Sequence, residues 1–96
     1  MGPFSITKTP ADVLAKIALK LKKLRKKCGL NQQELADRSG VSLGSLKRFE
    51  TTGQISFESL LKLAQILNRL EDFETLLTPK ESTEDIEKLF SDKTRS

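Results

Sequence analysis

Side chains able to carry catalysis are scarce here, since the 96 residues include no His and a single Cys. Ser42 and Ser45 have no base to activate them, the carboxylates show no pairing suited to acid–base work, and Cys28 stands alone near Lys26 and Lys27. The same counts exclude a disulfide framework and a Cys/His zinc site, so no metal and no cofactor is expected, and the chain reads as a non-enzyme. What the sequence does supply is hydrogen-bond donors. Gln32 and Gln33, and further on Lys47, Arg48, Thr51, Thr52 and Gln54, have the chemistry of holding a polar or anionic partner.

These donors are positioned by two short helices that must touch at a tight turn. Leu35 and Ala36 face inward on the first helix, Gly40 makes the turn, and Val41, Leu46 and Phe49 pin the second helix back onto it. Ala36 is small enough to let the helices approach, and Gly40 takes the positive φ that a turn of three or four residues demands. Asn31 as N-cap, with Glu34 at capping-box spacing, predicts the first helix over 32–39; the second is expected over about 42–51.

The pattern is a helix-turn-helix and resembles the phage repressor/Cro family, also called the XRE family. That motif has Gln opening the first helix, Ala four residues on, Gly four beyond, and apolar residues six and nine further. Gln32, Ala36, Gly40, Leu46 and Phe49 occupy these places. A finer likeness, over about residues 5–77, is to small antitoxins of the HipB type. It rests on Thr9-Pro10 before helix one, on LRKKCGLNQQELADRSGVSLGSLKRFE, and on the leucine-rich LLKLAQILNRLEDFETLL.

The resemblance implies an all-α, five-helix repressor/Cro-like domain, to which the Ser82–Asp85 capping-box spacing adds a short C-terminal extra helix. It also implies a homodimer whose recognition helix, 42–51, enters the major groove of double-stranded DNA at a palindromic operator. The family's base-facing places fall on Ser42, Leu43, Gly44, Ser45, Lys47 and Arg48, and Leu43 and Gly44 depart from the Gln or Asn common there. Leu43 is expected to pack on a thymine methyl, Ser42 and Ser45 to give undemanding hydrogen bonds, and Gly44 to allow close backbone approach. Arg48 is assigned to guanine and Lys47 to phosphate. Gln32, at a helix N-terminus with unpaired N–H groups, is expected on a phosphate, as the family's Gln is. Gln33 touches the backbone or faces water; Thr51, Thr52 and Gln54 are second-site phosphate ligands or ordinary loop residues. The family also joins an Arg late in helix one to a Glu ending the recognition helix, and Arg25 and Glu50 stand there. The antitoxin likeness implies a repressor of its own operon that binds a toxin protein away from the recognition helix.

Around this motif the chain divides into an N-terminal arm, 1–8, the domain proper, 9–77, and a linker, short helix and tail, 78–96. Thr9, Pro10 and Asp12 predict the start of helix one, Gly29 its end, and Leu14, Ile17, Ala18, Leu21 and Leu24 its buried stripe. Lysines crowd its last two turns, and Lys23 is placed on a phosphate. Ser56 should cap helix four, with Phe57, Leu60, Leu61, Ala64 and Leu67 inward. Leu70 to Leu77 should form helix five. Leu70, Phe73, Leu76 and Leu77 are candidates for a dimer or partner surface, as are Ile86, Leu89 and Phe90 in a sixth helix capped by Ser82.

Composition sets the outer bounds. Ninety-six residues make one domain, with a function on a surface and not in an interdomain cleft. Residues 1–55 hold eleven Lys/Arg against four Asp/Glu, and residues 56–96 six against nine, which together give the net charge of +4. One half seeks polyanions and the other does not. No apolar run suggests a membrane span or an export leader, so a cytoplasmic location without membrane partners is expected.

Overall fold

The computed structural model describes residues 8–79; the first seven residues of the arm, and Ile86, Leu89 and Phe90 with their expected helix, lie outside these. Five helices follow in order: α1 Pro10–Lys27, α2 Gln32–Ser39, α3 Leu43–Thr52, α4 Phe57–Ile66 and α5 Glu71–Glu74. Among the described residues there is no strand, so the fold is all-α.

Each of the first four helices begins at a side-chain cap. Thr9 Oγ1 accepts from the Asp12 N–H at 3.1 Å, while the Asp12 carboxylate accepts from the Thr9 N–H at 3.2 Å. Asn31 and Glu34 make the same reciprocal pair at 2.8 Å each. Ser42 and Ser56 cap α3 and α4 through the Ser45 and Ser59 N–H groups. Each cap satisfies a donor the helix leaves orphaned and contributes about 1 kcal/mol.

The ends are equally marked. Gly29 follows α1 at φ 75, with its N–H donating to Lys26 and that of Leu30 to Arg25, which closes the helix and turns Leu30 back onto the core. Asn68 performs the same turn after α4, at φ 61, with the Arg69 N–H donating to the Ala64 carbonyl at 2.8 Å. An Asn tolerates that left-handed geometry better than other non-glycine residues.

Phe49, Leu35, Leu46 and Leu63 are fully buried at the centre, and Ala18, Leu21, Ala36, Val41, Leu60 and Leu67 surround them. Phe49 and Leu46 therefore hold α3 from behind. Burying each such side chain contributes roughly 1.5–3 kcal/mol.

Four expectations need correction. Leu14 is 39% exposed, although its backbone and Cβ lie close against Gly53. On α4 the buried row is Leu60, Leu63, Ala64 and Leu67; Phe57 is exposed and meets Phe73 edge-on at 6.0 Å between ring centres. Helix α3 is shifted by one residue, because Ser42 is its cap and not its first residue. Helix α5 is a single turn over Glu71–Glu74 in place of 70–77. No side chain caps it, and its N–H groups reach back three residues, as in the Phe73 to Leu70 bond of 3.0 Å.

Candidate nucleic-acid interface

Helix α3 has one face in the core and one in water. Leu43, Leu46, Phe49 and Glu50 lie on the inner side, buried or half-buried, while Gly44, Ser45, Lys47, Arg48, Thr51 and Thr52 are exposed. The exposed set carries two cations and no anion, and the helix opens at its N-terminal end onto Gly44 and Ser45, the two smallest side chains on it. Such a face can lie in a groove lined with phosphates and hydrogen-bond acceptors.

The helix is held in place by a largely buried polar cluster that joins three helices. Arg25 of α1 donates from Nε to Glu50 Oε2 at 2.8 Å and from Nη2 to Oε1 at 2.9 Å, a two-bond fork. The side chains are 7% and 3% exposed respectively. The remaining arginine nitrogen, Nη1, donates to the Leu30 carbonyl at 3.0 Å, so the same side chain also fixes the turn between α1 and α2. Gln32, the first residue of α2, donates from Nε2 to Glu50 Oε1 at 2.9 Å. Glu50 thus ties the end of α3 to the C-terminal part of α1 and to the N-terminus of α2. Among the described residues no buried side-chain nitrogen or oxygen lacks a partner.

This cluster changes what Gln32 can offer. One amide hydrogen is given to Glu50, and the half-buried side chain keeps its second hydrogen and its carbonyl oxygen for a ligand. Gln33 donates to Asp37 Oδ1 at 2.8 Å along the exposed side of α2.

The other residues assigned from sequence divide in the same way. Ser42 caps the helix, and its hydroxyl also donates to Ser45 Oγ at 2.9 Å, which leaves the Ser45 hydrogen free to point outward. Leu43 is half-buried against the core, so its reach toward a base methyl is limited to its outer edge. Gly44 has open space where a side chain would stand. Thr51 and Thr52 donate their hydroxyls to the Lys47 and Arg48 carbonyls at 2.9 and 2.7 Å, spending those hydrogens within the helix.

Lys23 is exposed. It lines a groove of about 590 Å³ between α1, α4 and the α5 turn, with Ile17, Leu24, Leu60 and Leu76. It stands two positions before the inward Arg25, about 200° around a helix of 3.6 residues per turn. Of the leucines proposed for a protein surface, Leu76 is 51% and Leu77 fully exposed, Leu70 is at the margin of exposure, and Phe73 is half-buried against the core. Cys28 is an exposed free thiol.

Sequence reasoning missed that Gln32 is a third member of the Arg25–Glu50 cluster. The contact crosses from the start of α2 to the end of α3, a separation no periodicity encodes. Among the described residues no helix is long and apolar enough to cross a membrane. A family described as helix-turn-helix matches residues 21–73, more than half of the chain. No curated protein matches it.

Proposed function

Given that the chain belongs to the repressor/Cro (XRE) helix-turn-helix family and is a DNA-binding regulator, we propose that it is a sequence-specific repressor acting as a homodimer. In this reading α3 lies in the major groove, with Arg48 on a guanine, Ser45 on an adjacent base edge and Gly44 admitting the backbone closely. Lys47 and the free half of the Gln32 amide hold phosphates on either side.

The observation that carries this reading is the mounting of α3. Its inner face is fixed by Leu46, Phe49 and the buried Glu50 fork, and its outer face is cationic and small at the leading end. The N-terminus of α2 adds free backbone N–H groups that suit a phosphate.

The twofold arrangement takes its support from the exposed Leu70, Leu76 and Leu77 beside the apolar groove, where a second copy would bury them. The same leucines, with the acidic second half of the chain, support a compatible second reading: an antitoxin that holds a toxin partner and represses its own operon. Deleting residues 79–96 and measuring partner and DNA binding separately would apportion the two roles.

The test is selection from a random duplex library with the full-length protein. Enrichment of sequences with inverted half-sites about 10 base pairs apart is the expected result. Recovery of an unenriched pool would overturn the sequence-specific reading, and enrichment of single half-sites would overturn the dimer.

A further inference from the structure

The only arginine on the exposed face of α3 is tied to the loop behind the helix. Arg48 Nη2 donates to Gln54 Oε1 at 2.7 Å. The Gln54 backbone is held beside it, because its N–H donates to Thr52 Oγ1 at 3.1 Å and that hydroxyl donates to the Arg48 carbonyl at 2.7 Å, all three side chains being exposed. The three contacts close a ring through Arg48, Gln54 and Thr52. Gly53 anchors the ring, since it sits at φ 84 with its missing Cβ position 3.0 Å from the Leu14 backbone of α1.

The ring has a directional consequence. Long side chains on a helix lean toward its N-terminus by default, whereas Arg48 is drawn toward a residue beyond the C-terminus of α3. Its guanidinium carries five N–H donors in a planar fork, and only one is spent on Gln54 in this ring. The free edge still matches a pair of acceptors such as guanine O6 and N7. The amide is neutral, so it orients the cation without cancelling its charge.

We infer that Gln54 is a positioning residue for base recognition: it sets the orientation of the Arg48 guanidinium before DNA arrives, and the base preference at that position depends on it. This rests on the proposed recognition role of α3. A side chain ordered in advance loses less freedom on binding, so the effect of Gln54 is expressed on the matched duplex and not on random DNA.

The experiment is a double-mutant cycle with the full-length chain on the duplex recovered by selection, beside a random duplex of equal length. Gln54→Ala is expected to keep its melting temperature and its random-duplex affinity while losing about tenfold on the matched duplex; the Arg48→Ala/Gln54→Ala double variant should bind no worse than Arg48→Ala alone. Gln54→Glu, which pairs the guanidinium with a charge, should weaken matched and random duplexes together. Losses that simply add, or a Gln54→Ala protein equal to the parent on the matched duplex, would overturn the inference while leaving Arg48 as reader. An Arg48→Ala protein that still discriminates would overturn the inference and the role of Arg48 together.

Discussion

Replacing Arg25 by alanine puts the mounting of the recognition helix to a direct test. The substitution removes two hydrogen bonds to Glu50 and one to the Leu30 carbonyl. It leaves a carboxylate only 3% exposed with Gln32 Nε2 as its one remaining side-chain partner. Breaking a buried pair from one side costs about 3–5 kcal/mol, most of it the penalty of the uncompensated charge. A domain of this size has roughly 5–10 kcal/mol of stability in all. At about 4–8 °C per kcal/mol, the melting temperature should fall by roughly 12–40 °C. A companion variant separates charge from packing: Arg25→Met with Glu50→Leu leaves no buried charge behind and should recover part of the loss, the Leu30 carbonyl and the Gln32 amide still losing their partners. Thermal melts followed by circular dichroism, run at low and high salt, provide the readout, and a buried pair should respond little to salt. Arg25→Ala melting within about 3 °C of the parent, or a double variant less stable than Arg25→Ala, would refute the reasoning.

Three further outcomes are expected. Gly53→Ala should destabilise more than Gly40→Ala: both need positive φ, worth about 1–2 kcal/mol to a non-glycine residue, but only at Gly53 does the new Cβ meet backbone, at 3.0 Å from Leu14. Equal chemical-denaturation midpoints would contradict this. Gly44→Ala fits the free protein and should raise its stability by about 1 kcal/mol while weakening binding to the selected duplex; unchanged binding would show that no close approach occurs at that residue. Lys47→Ala should weaken all duplexes alike and lower the salt slope by about 1, whereas Lys23→Ala, in the groove beside Leu76, should leave the slope unchanged; the reverse order in a salt titration would reassign both lysines.

Helix α2 was legible to the residue because both its ends are written in side chains, Asn31 with Glu34 at one and Gly40 at the other. Helix α1 is similar, with Thr9 and Asp12 at the same three-residue spacing as Asn31 and Glu34. Helix α5 was not legible. Spaced leucines suit successive turns as well as a helix, and Leu70 carries no capping oxygen to distinguish them. At the candidate site, residue types and faces could be read: Gly44, Ser45, Lys47 and Arg48 share the outer side of α3. Their ties could not. Gln32 to Glu50 and Arg48 to Gln54 run around helix ends, where neither periodicity nor spacing constrains a partner.

The most direct measurement is binding of the purified protein to the fragment immediately upstream of its own coding sequence, beside a random duplex of equal length, at two salt concentrations. Binding to the upstream fragment about 10³-fold tighter or more, weakening steeply as salt rises, is the result expected of a repressor of its own operon. Weak and equal binding to both would contradict it, and would leave the fixed α3 face as scaffold for a protein partner.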